Sequence, residues 1–417
     1  MFDTEEKVER LILVAASTDD SDVQASLDEL EELVNTAGGV VVGRIVQNRE
    51  RVDRATYIGK GKIEEVRELI DMENADGIVC DDELSPAQQA NLSDILNTKV
   101  MDRTLVILDI FAKRAITGEG KIQVELAQLK YRSTRLTGMG KVLSRLGGGI
   151  GTRGPGEKKL EIDRRLIRKR IAILRQEIED METHRDLVRR NRDKTPLINV
   201  AIVGYTNAGK STLLNTLTQA GILEEDKLFA TLDPTTREYK LSSGQKILLT
   251  DTVGFIKKLP HNLIDAFRST LEEAAYADIL IHMVDASNPQ ADLQMQTVYE
   301  TLDMLGAGDK PVITVFNKQD KLESESILKD LRAEYTVKCS VKKKQGLDDL
   351  MECLEDIIRQ RRRYISKVFP YSETGKLQNI RKYGELLTEE YREDGIYIEA
   401  YVPTQYLQDG GSHHEKS

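Results

Sequence analysis

Apolar residues in the first hundred positions follow two rhythms. Leu11–Ala15 is a continuous apolar run, Val40–Val46 is rich in β-branched residues, and Gly77–Cys80 is short and apolar. Such runs, bounded by polar stretches, predict buried strands. Between them, Val23–Leu33, Ile63–Ile70 and Pro86–Leu96 place apolar residues at the spacing of one helix face. Ser85 stands just ahead of Pro86, where an N-cap belongs. The alternation predicts a small α/β domain with a mainly parallel sheet over residues 1–115.

The pattern then lengthens. Ile122, Leu126, Leu129 and Leu136 lie on one helix face. Leu160, Ile167, Ile171, Leu174, Ile178, Met181 and Val188 form a heptad stripe, predicting a helix from about Glu157 to Asp193. At 1.5 Å per residue that helix is about 55 Å long. Between the two stripes, residues 137–156 contain eight glycines in twenty positions. Residues 116–195 therefore read as an antiparallel helical hairpin with a Gly-rich tip. Residues 196–365 return to α/β alternation, with strands at Ile198–Val203, Ile247–Thr250, Ile279–Val284, Val312–Phe316 and Thr336–Cys339. Residues 366–417 read as a small C-terminal strand–helix–strand domain, ending in a polar tail from Gln408 that is expected to be mobile.

Charge changes how the hairpin is read. The 417 residues carry 60 Lys+Arg against 70 Asp+Glu, a net charge of −10, which by itself argues against a nucleic-acid partner. Residues 121–195 hold 20 basic and 10 acidic side chains, net +10, so the rest of the chain is net −20. Arg164, Arg165, Arg168, Lys169 and Arg170 fall within seven positions. A one-signed cluster of this density reads as a functional basic surface. Three widely spaced cysteines without a CxxC fit a reducing cytosol. The acidic N-terminus does not resemble a signal peptide, and no apolar run approaches the ~18 residues of a membrane span. No stable membrane insertion is expected.

The chemistry concentrates in residues 196–365. Gly204, Tyr205, Thr206, Asn207, Ala208, Gly209, Lys210 and Ser211 match G-x-x-x-x-G-K-[ST] between a predicted strand and a predicted helix. Such a loop wraps phosphates with backbone amides at a helix N-terminus. Lys210 reaches the β- and γ-phosphates, and the Ser211 hydroxyl ligates Mg²⁺. Asp251, Thr252, Val253 and Gly254 end the next buried strand; Asp251 suits the same magnesium and the Gly254 amide suits a γ-phosphate. Asn317, Lys318, Gln319 and Asp320 follow another strand, and the Asp320 carboxylate can accept both donors of a guanine edge. Ser340 and Val341, after the next strand, sit where an amide contact to guanine O6 is expected. The segment Phe229, Ala230, Thr231, Leu232, Asp233 lies between the P-loop and Asp251; by spacing, Thr231, Thr235 or Thr236 could complete the magnesium shell. Phe255 follows Gly254 where many regulatory GTPases carry a water-orienting Gln, so intrinsic hydrolysis is expected to be slow. Asn207 either braces the loop or helps hold a monovalent cation such as K⁺.

Together GYTNAGKST, FATLDPTTR, DTVGF and NKQD resemble the Obg-like branch of translation-factor-class GTPases. YIGKGK, VELAQLKYR and GGGIGTRGPGEKKLEIDRR resemble the HflX family of ribosome-associated GTPases within it. The resemblance spans roughly residues 8–365. It implies a P-loop GTPase domain preceded by an α/β domain and a helical hairpin, with a small C-terminal α/β domain. It also implies GTP as substrate, Mg²⁺, the large ribosomal subunit and its rRNA as partners, and ribosome splitting or rescue under stress. Within the family pattern Thr231 becomes the magnesium ligand. Ser340-Val341 departs from the usual Ser-Ala, although Val341 keeps its amide. A cytoplasmic monomer is expected. Two other readings follow from the residues: an RNA remodeller with a second nucleotide site at Tyr57-Ile-Gly59-Lys-Gly61-Lys62, and a signalling GTPase with a protein effector.

Overall fold

A computed structural model gives the architecture. It describes residues 8–17, 20–48, 51–145, 155–192, 197–218, 228–258, 260, 263, 268–322 and 328–402. Residues 146–154 of the Gly-rich tip, Arg153 among them, and the C-terminal tail lie outside these residues, whereas 137–145, expected in the tip, continue the preceding helix as far as Arg145. The described residues form two compact units, both discontinuous in sequence. One contains residues up to Asp186 together with 228–233 and the described part of 257–270; the other contains the remainder.

The first unit begins with β1 (Arg10–Ser17), α1 (Asp20–Ala37), β2 (Val40–Asn48), α2 (Lys60–Glu73), β3 (Gly77–Cys80), α3 (Pro86–Leu96), β4 (Lys99–Asp102) and α4 (Arg103–Arg114). Its strands form a parallel sheet in the order β2-β1-β3-β4. Central strands of such a sheet are covered on both faces and so read as unbroken apolar runs. The first five apolar residues of β1 are accordingly buried. Ser85 caps α3 in a full capping box with Gln88. β4 was not evident from the apolar pattern: it has four residues and passes directly into α4, with Asp102 capping that helix through the Leu105 amide at 2.9 Å.

Two long helices follow, α5 (Gly118–Arg145) and α6 (Pro155–Arg192). Of the predicted stripe on α6, Leu174 is fully buried and Ile167, Ile171, Ile178 and Met181 are half-buried. The side chains of Leu160 and Val188 lie outside the described residues. The narrow seam expected on α5 is too simple a picture. Gln123, Val124, Ala127 and Tyr131 are also buried, and α5 packs on α3 and α4. The Tyr131 hydroxyl donates to Asp102 at 2.9 Å, and Arg135 pairs with the same carboxylate at 2.7 Å. The middle of α5 is thereby fastened to the end of β4.

The second unit contains β5 (Ile198–Gly204), α7 (Lys210–Thr218), β6 (Thr235–Lys240), β7 (Lys246–Asp251), most of α8 (Arg268–Tyr276), β8 (Ile279–Asp285), α9 (Ala291–Met304), β9 (Val312–Asn317), β10 (Tyr335–Lys338) and α10 (Leu347–Gln360). The sheet order is β10-β9-β8-β5-β7-β6, parallel except for β6. Gly204, Asp251 and Asn317 stand at the C-terminal ends of β5, β7 and β9, where open parallel sheets present ligand sites. The C-terminal segment is β11 (Arg363–Phe369), α11 (Thr374–Tyr383), β12 (Glu385–Arg392) and β13 (Gly395–Val402), an antiparallel sheet in the order β11-β13-β12. It has one strand more than the strand–helix–strand expected. Its core is Phe369, Leu377, Ile380, Ile396, Ile398, Ala400 and Val402. Arg359 on α10 pairs with buried Glu385 at 2.7 Å and joins this sheet to the preceding helix. Among the described residues, no helix is long and apolar enough to cross a membrane.

Candidate functional site

The loop after β5 is built by constraints that its sequence meets. Gly204 has φ 150°, and a Cβ there would stand 2.3 Å from the Met283 carbonyl oxygen. Gly209 has φ 99°, and its Cβ would stand 2.4 Å from Asn317 Nδ2. Asn207 takes the left-handed conformation (φ 60°) that Asn tolerates better than most residues, and its side chain is exposed. Lys210 opens α7. Its Nζ donates to the carbonyls of Tyr205 at 2.8 Å and Gly204 at 3.2 Å. Burial pushes its pKa down to about 8, although Asp251 pulls the other way. A buried ammonium whose two hydrogen-bond acceptors among the described residues are carbonyls is suited to an anion, which would raise its pKa again.

Ser211 donates from Oγ to Asp251 Oδ2 at 2.7 Å. Two hard oxygen donors side by side at a sheet's C-terminal edge fit a Mg²⁺ ion that takes its remaining ligands from phosphate and water. Beyond Asp251 the chain is fastened to the P-loop. Thr206 N donates to Phe255 O at 2.8 Å, and Phe255 N to Gly204 O at 3.1 Å. Thr252 Oγ1 donates to Ile202 O at 2.8 Å, and Val253 is buried. Gly254 is thereby held against Thr206 and Lys210: a Cβ on it would lie 2.8 Å from Thr206 Cγ2 and 3.0 Å from Lys210 Nζ. The Phe255 ring is buried. Thr235 and Thr236 open β6, and the Thr236 hydroxyl is hydrogen-bonded to Thr250 Oγ1 at 2.9 Å.

Asn317 bridges the P-loop and the loop after β10. Its Nδ2 donates to Ala208 O at 2.9 Å, and its Oδ1 accepts from Val341 N at 3.1 Å. The Val341 amide expected to meet guanine O6 is therefore directed at Asn317 here. Lys318, at φ 62°, pairs with Asp285 at 2.7 Å, and Gln319 N donates to Cys339 O at 3.2 Å. Ser340 Oγ donates to Asp320 Oδ1 at 2.6 Å, and this bond holds the Asp320 pKa below the usual carboxylate range. An ionised Asp320 is a pure acceptor, as a pair of N–H donors requires.

Residues 228–233 belong to the first unit. Leu228, Phe229 and Leu232 are buried, and the Phe229 ring meets Phe111 of α4 edge-on at 4.7 Å. Ala230 and Thr231 are half-buried. The Asp233 carboxylate accepts from Ile116 N and Thr117 N, both at 3.0 Å, and from Thr117 Oγ1 at 2.6 Å. It sits at the N-terminus of α5, where a carboxylate satisfies orphan amides. The side chains of Phe229 and Asp233, both expected near nucleotide, are thus used to dock this segment.

The sequence reading missed a second docking point. Lys258 pairs with Asp82 at 2.6 Å and with Asp81, both just past β3. Arg103, itself buried, pairs with Asp81 at 2.8 Å and Glu29 at 2.6 Å, and donates to Ser26 O at 2.9 Å. Burial alone would raise the Asp81 pKa, but Arg103 and Lys258 hold it below its usual value. Burial would likewise lower the Lys258 pKa, and the two aspartates raise it. At Tyr57–Lys62 the structure has a turn that leads into α2. Tyr57 (φ 64°) donates from its hydroxyl to Asp82 at 2.7 Å, and the Gly59 amide donates to Gln47 Oε1 at 2.7 Å. That amide is taken, and the neighbouring carboxylates oppose a phosphate.

The six-stranded sheet and its G-x-x-x-x-G-K-S loop define a P-loop GTPase. Three families match along the chain: one described as "GTP-binding GTPase N-terminal" over residues 24–112, "GTP-binding GTPase Middle Region" over 114–192, and "50S ribosome-binding GTPase" over 199–318. A protein called GTPase HflX from Lacrimispora saccharolytica is 63% identical over 406 residues, covering 97% of this chain and 96% of its own. GTPase HflX from Caldanaerobacter subterraneus is 50% identical, covering 94% and 91%; that from Escherichia coli is 43% identical, covering 78% and 76%. The chain belongs to the HflX GTPase family, and GTP is its substrate.

Proposed function

We propose that this GTPase binds the large ribosomal subunit through its helical arm and separates or rescues ribosomes under stress, using GTP binding to engage and hydrolysis to leave. Gly204–Ser211 would cradle the phosphates, with Lys210 at the β- and γ-positions. Ser211, Thr231 and Asp251 would hold Mg²⁺, which offsets charge on the phosphates when bound. Asn317, Lys318 and Asp320 would select guanine. Gly254 and Thr231 would sense the γ-phosphate, and Asn207 would support K⁺ beside it.

The ribosomal part rests on the surface of α6. Arg165, Arg168 and Lys169 are exposed there. Arg170 pairs with Glu125 of α5 at 2.7 Å and Arg164 donates to Leu136 O, so these two hold the hairpin together. The basic run therefore divides into fasteners and exposed cations, and the latter suit rRNA phosphates. A family described as a 50S ribosome-binding GTPase supports the same partner.

Sedimentation of ribosomes through sucrose gradients with this protein tests the reading. With a non-hydrolysable GTP analogue it should comigrate with large subunits and shift 70S particles to subunits; with GDP it should do neither. Equal splitting with GDP would refute the cycle. Comigration with no ribosomal species, alongside capture of a defined protein partner, would favour the signalling alternative.

A further inference from the structure

Two segments of the chain leave the GTPase sheet to join the other unit. Residues 228–233 precede β6, and 257–258 follow Phe255, yet both pack with the N-terminal α/β domain and helical arm. Each makes that junction with a charged side chain. Asp233 satisfies the amides of Ile116 and Thr117 at the start of α5. Lys258 enters the space past the end of β3, between Asp81 and Asp82. That position adjoins the point where the strand order β2-β1-β3-β4 reverses direction, where a parallel sheet ordinarily receives a ligand. Here a side chain of the same chain fills it.

The backbone at these junctions is constrained. Phe229 has φ 54° and Lys258 φ 58°, left-handed conformations unusual for residues other than glycine. Such conformations persist where the surroundings over-determine them. For Phe229 the surroundings are Phe111 and the buried neighbours Leu228 and Leu232. For Lys258 they are two carboxylates, one of them also held by buried Arg103, whose guanidinium reaches the Lys257 carbonyl at 3.4 Å. The junctions lie close in sequence to the γ-phosphate sensors of the proposed function: Asp233 is two residues after Thr231, and Lys258 four after Gly254. Between Phe255, tied to the P-loop, and Lys257 there is only Ile256, which is buried.

We infer that Lys258, seated between Asp81 and Asp82, and Asp233, seated on the N-terminus of α5, are positioning residues through which the N-terminal domain and arm hold the two sensor segments ready for the γ-phosphate of GTP. Neither touches the reacting atoms. A segment already held costs less to order when the triphosphate binds. GDP offers no γ-phosphate and should not register the difference. The inference rests on the proposed roles of Thr231 and Gly254, and it deepens them: the sensors would report to the arm because their anchors are part of the arm's own unit.

Full-length protein carrying Lys258→Ala, Lys258→Arg or Asp82→Asn tests it. The readouts are dissociation constants for GDP and a non-hydrolysable GTP analogue, and single-turnover hydrolysis. Lys258→Ala should reduce the preference for the analogue over GDP by about fivefold or more and slow hydrolysis about tenfold, with GDP affinity within about twofold of wild type. Lys258→Arg should keep near-normal values, and Asp82→Asn should fall between. The Asp82 variant keeps the buried Asp81–Arg103 pair, so it still reports if Lys258→Ala folds poorly. Equal loss of GDP and analogue affinity would overturn the inference, as would no change in either. Wild-type protein that bound neither nucleotide would remove the proposed site and this inference with it.

Discussion

At the base end of the proposed site, Asn317 is held by Ala208 of the P-loop and by Val341, and Asp320 is held by Ser340. At the sensor end, Asp233 and Lys258 are held by Thr117 and Asp82, which lie 116 and 176 positions away. The base end is held within the second unit, by partners 20, 24 and 109 positions apart, which suits constant recognition. Asp233 and Lys258 and the residues that hold them lie instead in the first unit. A switch needs this asymmetry: one end fixes which ligand is bound, and the other reports which form of it.

The largest expected effect lies at the base end. Asp320→Asn replaces a pure acceptor with a group that also donates, so GTP and GDP affinities should fall together. The loss should be on the order of 10³-fold or more, with preference moving to xanthosine nucleotides. Competition binding with the two nucleotide series measures it; retention of guanine preference would show that this end does not select the base. Gly254→Ala should have the opposite signature. Its Cβ would crowd Thr206 and Lys210 at 2.8 and 3.0 Å and push the segment off the P-loop. Hydrolysis should fall on the order of 10²-fold with GDP affinity nearly intact. If both variants lost GDP and hydrolysis in the same proportion, the two ends would not be distinct.

What the sequence disclosed follows the same division. The central strands β1, β5, β8 and β9 were legible because burial on both faces writes an apolar run. β6 and β12 were not, since an edge or solvated strand such as TTREYK or ELLTEEYR has little apolar signal and is defined by its partner. The P-loop, D-T-V-G and N-K-x-D motifs were readable because each is a short run that one strand end delivers to the same sheet edge. The seat of Lys258 was not: Asp81 and Asp82 look like ordinary loop carboxylates until the fold brings them to it. Asp233 stands in the F-A-T-L-D segment expected at the nucleotide, whereas the fold gives its carboxylate to the start of α5. The second, α3- and α4-facing side of α5 was hidden for a similar reason, because a helix that packs on two partners shows no single stripe.

A pH titration separates the P-loop lysine from both ends. With the folded Lys210 pKa near 8, the free site holds its proton below that value and releases it above. Bound phosphate raises the pKa, so binding takes up a proton in the interval above pH 8. Affinity for GDP should be level from pH 6.5 to 7.5 and should then decline, approaching about tenfold per pH unit until the bound-state pKa is reached. Calorimetry in buffers of different ionisation enthalpy would detect the proton uptake at pH 9 and its absence at pH 7. Uptake at neutral pH instead would assign the titration to another group.

The smallest expected effect is at the Asp233 seat, and it is the most direct probe of the comparison. Gly120 lies in the first turn of α5, and a Cβ there would stand 2.4 Å from Asp233 Oδ1. Gly120→Ala therefore drives the carboxylate off the helix end without altering any residue of the P-loop, the sensors or the base loop. Alanine also favours the helix over glycine, by up to about 1 kcal/mol in a helix interior, which offsets much of the roughly 1 kcal/mol lost with a capping interaction. The melting temperature should then shift by no more than a few degrees. Hydrolysis should slow by about threefold, because the segment carrying Thr231 loses its seat on α5 while Leu228, Phe229 and Leu232 stay buried. Single-turnover rates at saturating GTP, set beside thermal melts, resolve the two. A variant that melts lower but hydrolyses normally would make Asp233 a helix cap and nothing more, and the sensor end would then depend on Lys258 alone.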